Sequence, residues 1–180
     1  KYPKTVEFEE ERSFAYAKLM EFLSKMNRRD AYIKFAHTLA KEMHNFENFV
    51  EAGNAILLHY KLLEWTDDYD AGVLELGEDG IEAVLPSQPA WERKLTLLNL
   101  AIDLMDKGKA WENCVQLLQE IGQMYTSTRP DYLKLAKVLE DQAKLYHRIV
   151  SEERFFPTMF RVSYFGQGYA NQSLRNKTFI

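Results

Sequence analysis

The sequence has little of what marks disulfide-rich, DNA-binding or membrane-spanning proteins. A single cysteine, Cys114, among 180 residues excludes an internal disulfide and a thiolate-rich metal site, as is typical of a reducing compartment. The net charge is −4 at pH 7, whereas a duplex nucleic-acid surface needs clustered lysine and arginine to neutralise phosphates. No apolar run approaches the ~18 residues of a membrane span. We therefore expect protein partners and no nucleic acid.

A β pattern is also missing until late in the chain. Beyond Pro157, residues 159–169 (MFRVSYFGQGY) form an aromatic run closed by two glycines, and a second run follows at residues 174–180 (LRNKTFI). Such runs bounded by glycine are typical of strands. The chain begins with Lys1 and stops within an apolar pair, so we expect a fragment in which a helical module precedes the opening of a β region.

Everything before that point shows helical periodicity, with apolar residues recurring every three or four positions. The pattern predicts six helices, at residues 7–26, 30–44, 47–65, 90–107, 110–125 and 131–151. Most connections are short, so consecutive helices should run antiparallel. The predicted fold is mainly α. A TPR-like helical lobe should occupy residues 1–154, and a linker with the first strands of an incomplete β lobe should occupy residues 155–180.

Each predicted helix carries an apolar stripe for the core. In the first helix the stripe comprises Phe14, Leu19, Phe22, Leu23 and Met26. In the fifth it comprises Trp111, Cys114, Val115, Leu118, Ile121 and Tyr125. In the sixth it comprises Leu135, Val138, Leu139, Gln142, Tyr146 and Ile149. Between the fourth and fifth helices, Gly108 is predicted to stop the helix in a left-handed conformation.

Residues 66–89 lack helical periodicity and are rich in acidic residues, glycine and proline. This composition predicts a long acidic loop. Loops of this length within a compact domain are either functional or insertions, and the insertion is the favoured interpretation.

A faint internal repeat places residues 39–56 over residues 101–118 at a fixed offset. Both copies present an aromatic residue, a small residue three positions on, and then an aliphatic residue. Stacked helical hairpins that resemble tetratricopeptide repeats pack in this way. A six-helix bundle without a regular solenoid remains an alternative.

No catalytic, cofactor-binding or metal-binding residue is assigned. The histidines show no ligand spacing, so they are interpreted as core or helix-face residues: His37, His44, His59 and His147. Cys114 lies on an apolar stripe, which favours packing over nucleophilic chemistry. The segment 166–168 (GQG) lacks the helix and the lysine of a phosphate loop.

Three segments carry a family resemblance. Residues 160–180 resemble the entry strands of the second lobe of the DOCKER (Dock-homology region 2) domain of DOCK-family guanine nucleotide exchange factors. Residues 59–65 (HYKLLEW) are similar to that family's lysine-leucine-leucine-x-tryptophan helix end, and residues 106–112 (DKGKAWE) to its Asp-Lys-Gly-Lys-x-Trp-Glu turn. The resemblance implies the first lobe and the start of the second.

Such factors release GDP by stabilising the nucleotide-free GTPase, without covalent chemistry. The resemblance implies a Rac-type Rho-family GTPase as partner and Tyr164, Phe165 and Gly166 as a possible strand of the GTPase-binding lobe. The group that expels the nucleotide would lie beyond Ile180, so the fragment alone should be inactive. The resemblance also implies a cytoplasmic parent protein that is recruited to the membrane.

Homodimerisation through the helical lobe is a further implication, with Phe14, Phe22 and Tyr32 as candidates because their helices lie at the edge of the array. An ELMO-type adaptor would bind other regions of the parent. The alternative function is a TPR-like adaptor that holds a peptide or a partner helix. That alternative predicts further helical repeats after the sixth helix, where the sequence instead predicts strands.

Overall fold

The computed structural model describes residues 9–70, 87–153, 162–163 and 178–179. Within these ranges lie six α-helices: α1 (Glu9–Lys25), α2 (Arg29–Asn45), α3 (Phe49–Tyr60), α4 (Ala90–Lys107), α5 (Trp111–Gln123) and α6 (Tyr132–Ser151). A π-helical turn, Met124–Thr128, follows α5. There are also four two-residue strands: β1 (Tyr69–Asp70), β2 (Gln88–Pro89), β3 (Val162–Ser163) and β4 (Thr178–Phe179). The predicted mainly α class is confirmed.

The helices form an antiparallel array in which each packs chiefly against its neighbours in sequence. The hairpin of α3 and α4 brings Gly53 against Met105, and that of α5 and α6 brings Gly122 against Leu135. Among the described residues, no helix combines the length and the apolar character that crossing a membrane requires.

The turns after α1, α2 and α4 share one backbone design. Each contains a residue with positive φ: Asn27 at 52°, Glu47 at 61° and Lys109 at 55°. In each turn the next backbone N–H donates to the carbonyl five residues earlier, as Asn48 does to Met43 at 2.9 Å and Ala110 does to Met105 at 2.9 Å. This is the Schellman motif, which satisfies the last carbonyls of a helix.

Gly108 was predicted to take the left-handed conformation, and this is wrong. Its φ is −80°, and Lys109 is the left-handed residue. Gly108 is needed for a different reason: a Cβ at this position would lie 2.6 Å from Val50 Cγ2 and 3.3 Å from Val50 N. The glycine therefore allows the end of α4 to approach the start of α3 closely.

The internal repeat is present in the structure. The α2–α3 hairpin corresponds to the α4–α5 hairpin at the predicted offset, so the left-handed Glu47 corresponds to the left-handed Lys109. The small residues at the equivalent crossings, Ala52 and Cys114, are both fully buried. Small residues at these points allow the helix axes to approach, which supports the TPR-like interpretation.

Two apolar clusters form the core, and α4 contributes to both. One joins α4 to α2 and α3 and includes Met43, Ala52, Ile56, Leu97 and Ala101. The other joins α4 to α5 and α6 and includes Leu98, Met105, Trp111, Leu118 and Leu145. The helix α4 is therefore buried on two sides, in agreement with its central place in the array.

The base of the acidic loop is ordered. Strands β1 and β2 pair antiparallel, with Tyr69 opposite Pro89, and Ala90 N donates to the Asp68 carbonyl at 2.8 Å. Arg129 pairs with Asp67, and its guanidinium lies 4.2 Å from the centre of the Trp91 ring. The two ends of the loop are thus held together beside the π-helical turn. Residues 71–86 lie outside the described residues.

Near the end of the chain, β3 and β4 pair antiparallel, with Val162 opposite Phe179 and Ser163 opposite Thr178. These strands fall within the two segments for which strands were predicted. The division of the chain at residues 154 and 155 stays a prediction.

Two predicted stripes were wrong in part. Phe14 and Phe22 of α1 and Met26, which follows it, are 64%, 57% and 58% exposed, because α2 is the only helix with extensive contacts to α1 among the described residues. In α6, Leu139 and Tyr146 are 54% and 51% exposed, whereas the buried positions also include Leu145, which the prediction omitted. The helix α3 is also shorter than predicted and ends at Tyr60.

Candidate functional site

Residues of the segment 59–65 contact the buried side chain of Lys94, which belongs to α4. Lys94 Nζ donates to the Leu63 carbonyl at 2.9 Å, and it lies 4.5 Å from the centre of the Tyr60 ring and 5.1 Å from that of Trp65. A carbonyl and two aromatic faces stabilise an ammonium group away from water. Tyr60 also donates its hydroxyl hydrogen bond to Glu120. The residues of this motif therefore join α3, α4 and α5.

The segment 106–112 has an equally structural role. Trp111 is fully buried, as predicted, and its Nε1 donates to Asp106 Oδ1 at 2.8 Å. The same carboxylate accepts from Arg148 at 2.6 Å, and the Arg148 guanidinium lies 4.4 Å from the centre of the indole ring. This group of three side chains joins the end of α4 and the start of α5 to α6.

Two of the four histidines are brought together in the core. His37 Nε2 and His59 Nδ1 share a hydrogen bond of 2.9 Å. Burial and the positive charge of Arg93 lower the pKa of His37 to about 4, and burial together with His37 and Arg93 lowers the pKa of His59 to about 3. Both rings are therefore neutral at pH 7, which suits a packing role. Their proximity was not predicted from the sequence.

The remaining candidate for chemistry, Cys114, also lies in surroundings that suit packing. Cys114 is buried, and burial, reinforced by Asp106, raises the pKa of its thiol to about 11, so it remains protonated at neutral pH. Within the described ranges, no three histidine, cysteine or carboxylate side chains converge as metal ligands would.

A polar pocket of about 470 Å³ lies beside the π-helical turn. Its lining includes Trp65, Gln116, Gln119, Glu120, Gln123 and Thr128. Because π-helical turns are often found at functional sites, this pocket is a candidate peptide-binding surface.

The most extensive candidate surface is the outer face of α6. Six exposed positions on this helix, all apolar or aromatic, recur at spacings of four, three, four, three and four residues: Tyr132, Ala136, Leu139, Ala143, Tyr146 and Val150. We call this set the α6 stripe. Tyr132 and Val150, at its two ends, are 74% and 88% exposed. Exposed apolar residues aligned in this way are typical of an interaction surface.

The apolar arc of α6 is twice as wide as the stripe. A second row of residues, Leu135, Val138, Gln142, Leu145 and Ile149, lies beside the stripe and packs toward α5. With 3.6 residues per turn, the two rows together cover about half of the helix circumference. The prediction merged parts of both rows into one face. The regular spacing of the outer row was the signal that could have separated them.

The structure describes only some of the predicted site residues, so the possible strand of the GTPase-binding lobe stays a prediction. Tyr164, Phe165 and Gly166 lie outside the described residues. Phe14 and Phe22 are exposed on α1, whereas Tyr32 is half-buried on α2. In addition, Lys18 lies between Phe14 and Phe22 on the same side of α1 and covers the Phe14 ring at 5.3 Å. The outer face of α1 is therefore interrupted by charge.

Comparisons with known proteins agree with the helical array. A family model described as "DHR-2, Lobe A" matches residues 15–151. Dedicator of cytokinesis protein 4 of Homo sapiens is 33% identical over 159 residues, which cover 88% of this chain and 8% of that protein. Dedicator of cytokinesis protein 3 of Mus musculus is 32% identical over 163 residues, which cover 90% of this chain and 8% of that protein.

A fungal protein is similar over the full chain. DOCK-like protein 1 of Saccharomyces cerevisiae is 30% identical over an aligned length of 184 residues, which covers 100% of this chain and 9% of that protein. The chain thus spans less than a tenth of the length of these relatives.

Proposed function

Because this chain belongs to the DHR-2 lobe A family of the DOCK proteins, we propose that it is the helical support and dimerisation lobe of a guanine nucleotide exchange factor. The proposed target of the complete region is a Rac-type GTPase of the Rho family. The observation that carries the proposal is the family match, which covers residues 15–151 and ends at Ser151, the last residue of α6.

The side-chain contacts of the described residues favour a lobe that supports the rest of the exchange region. Charged groups in and beside the core serve packing: the buried Lys94 lies against two aromatic rings, and the partly exposed Arg148 and Asp106 contact the buried Trp111. An exchange factor acts by binding the nucleotide-free GTPase more tightly than the nucleotide-bound form, so it needs no nucleophile. We further propose that the groups that displace the nucleotide belong to other parts of the parent protein.

The array has two ends, α1 and α6, and each exposes apolar side chains. Terminal units of helical arrays require a partner or a polar cap, which supports both dimerisation and contact with further lobes. By the same family relationship, we propose a cytoplasmic parent protein that is recruited to the membrane, with an ELMO-type adaptor bound to other regions.

A nucleotide-release assay tests the proposal. The complete DHR-2 region of the parent should accelerate the release of fluorescent GDP from a Rac-type GTPase, whereas residues 1–180 should not. Within the complete region, replacing Tyr164 and Phe165 together with alanine should weaken exchange. A folded complete region that is inactive on every Rho-family GTPase would contradict the proposal. Exchange by residues 1–180 alone would show that the groups that displace the nucleotide lie within this chain and not in other parts of the parent protein.

The polar pocket beside the π-helical turn favours a second candidate, the TPR-like adaptor. Such a module would bind a peptide through Gln116, Gln119 and Gln123, and binding would not require residues 154–180. Peptide-array binding that is lost in Gln119→Ala but kept without the last 27 residues, together with no exchange by the complete region, would favour this function.

A further inference from the structure

We propose that the turn between α4 and α5, together with Arg148, positions the chain where it leaves α6 at residues 152–153, and thereby the part of the exchange region that follows. The inference rests on the proposed function for its effect on exchange, and it gives the segment 106–112 (DKGKAWE) a role beyond packing. The side chains responsible are Asp106, Lys109 and Arg148. They are positioning residues, which act through the chain that leaves α6 and not by contact with the GTPase.

The end of α6 differs from the ends of α1, α2 and α4. Those three helices end in turns with a residue of positive φ, and backbone hydrogen bonds in such turns fix the direction of the chain. After α6, Glu152 is extended, with φ −98° and ψ 139°, and no residue from 151 to 153 has positive φ. The backbone supplies no such turn here, so side-chain contacts are left to hold the chain.

Arg148 connects the end of α6 to the turn before α5. Its Nε donates to Glu152 Oε1 at 2.9 Å, and its Nη1 donates to Asp106 Oδ1 at 2.6 Å. Its guanidinium carbon lies 4.4 Å from the centre of the Trp111 ring. A planar guanidinium can donate in two directions while it stacks on an aromatic ring, which a lysine cannot do. One side chain thus ties Glu152 to a fully buried tryptophan.

Lys109 contacts the residue that follows Glu152. Its Nζ donates to the Glu153 carbonyl at 3.4 Å, and its backbone is left-handed, with φ 55°. Glycine adopts this conformation at a lower cost than other residues. Unfavourable backbone conformations of this kind are retained where they serve a function. We therefore assign the lysine at this position to the contact that its amino group makes with Glu153.

The ion pairs of this cluster contribute little to the stability of the lobe. The side chains of Arg148, Asp106 and Glu152 are 35%, 42% and 44% exposed, and ion pairs at such exposure stabilise a fold weakly. What the cluster does fix is the geometry of the chain that leaves α6. Catalysis is sensitive to geometry, since a displacement of about 1 Å can lower a rate about a hundredfold.

Nucleotide release from a Rac-type GTPase, catalysed by the complete DHR-2 region, tests the effect on exchange. Glu152→Ala removes an acceptor of Arg148 and should lower kcat about tenfold while KM changes less than about twofold, because the displacing groups are misplaced but the GTPase still binds. Glu152→Gln keeps an oxygen that accepts from Arg148, so it should retain most of the activity. An increase in KM alone would mean that Glu152 contacts the GTPase, which overturns the inference.

Lys109→Gly separates positioning from stability. Glycine suits the left-handed backbone, so this variant should be at least as stable to urea as the wild type, yet it should lose exchange activity. Glu21→Ala is the matched control, because it breaks an exposed ion pair with Lys25 on α1 that has the same spacing of four residues as the pair of Arg148 and Glu152. The control should change neither property. Wild-type exchange by both Lys109→Gly and Glu152→Ala would overturn the inference.

A distance measurement tests the position of the chain independently of exchange. Spin labels at Asp103→Cys on α4 and at Glu153→Cys report on the chain that leaves α6 in residues 1–180, where the single native cysteine, Cys114, is buried. The distance distribution from pulsed electron paramagnetic resonance should broaden when Glu152→Ala or Lys109→Gly is added. Circular dichroism establishes that each variant is folded. Equal distributions in all three proteins would overturn the inference.

The inference and the proposed function can fail separately. If the complete region catalyses no exchange, the proposed function is overturned, whereas a broader distance distribution in the variants would still support positioning of the chain by Arg148 and Lys109. Loss of exchange in Glu152→Ala with an unchanged distance distribution would overturn the inference and leave the proposed function intact.

Discussion

At the residue scale, Trp111 connects three helices through one side chain. It is fully buried, donates to Asp106 and stacks against Arg148. Trp111→Ala should destabilise the fold by roughly 3–5 kcal/mol, because a large cavity opens between α4, α5 and α6. Urea unfolding measures the change.

A conservative control separates packing from hydrogen bonding at this position. Trp111→Phe keeps an aromatic ring but loses the Nε1 donor, so it should destabilise the fold less than the alanine variant. A loss below about 1 kcal/mol for Trp111→Ala, a value typical of surface sites, would contradict the central role of this residue.

The buried histidine pair predicts a dependence of stability on pH. The pKa values of His37 and His59 are lowered from 6.5 to about 4 and about 3, so below pH 6.5 the unfolded chain binds more protons than the folded one. Stability is therefore fully present above pH 6.5 and falls as the pH approaches 4. Each histidine contributes up to about 1.4 kcal/mol per pH unit.

Urea unfolding at pH 7, 6 and 5 measures this effect. The double variant His37→Gln with His59→Gln cannot titrate and should show a flatter dependence. His147→Gln, at an exposed histidine outside the buried pair, is the matched control for the substitution itself. Equal slopes in the wild type and the double variant would show that the pair does not control acid stability.

At the element scale, two glycines predict opposite effects of the same substitution. Gly108→Ala should destabilise the fold by about 1–3 kcal/mol, because the new methyl group would overlap Val50 at the contact between α3 and α4. Gly122→Ala should stabilise it by up to about 1 kcal/mol, because alanine favours a helix and the nearest atom, Leu135 Cδ1, lies 3.5 Å away.

Thermal melts followed by circular dichroism compare the two variants directly. Val50→Ala combined with Gly108→Ala removes the overlapping methyl group and should recover part of the loss. A Gly108→Ala protein as stable as the wild type would mean that α3 and α4 separate easily at this point.

At the scale of the whole molecule, the described residues of both core clusters belong to α2 to α6 and their connections. We therefore expect residues 1–153 to fold without the rest of the chain, with a midpoint of thermal unfolding close to that of residues 1–180. A cooperative unfolding transition in both proteins is the expected result. Loss of that transition on truncation would show that residues 154–180 complete the core.

Periodicity was enough to predict the helices and much of their core. Spacing of apolar residues at three and four positions is a local property of the chain, so six antiparallel helices and the buried residues of α5, including Trp111 and Cys114, could be predicted. Short connections constrain neighbouring helices to reverse. The repeat that relates Ala52 to Cys114 was also visible in the sequence.

Tertiary structure decided the features that depend on which neighbour is present. The sequence shows one wide apolar arc on α6, but only the position of α5 determines that Leu145 is buried and Leu139 is exposed. Likewise, the close contact with Val50 explains why a glycine stands at position 108. The positive φ angles of the turns fall on Glu47 and Lys109, which the spacing of apolar residues does not single out. The meeting of His37 with His59 depends on how α2 packs against α3. Local spacing therefore determined the elements and their apolar faces, whereas burial, pKa values and the free surface of α6 arise from contacts between residues distant in the chain.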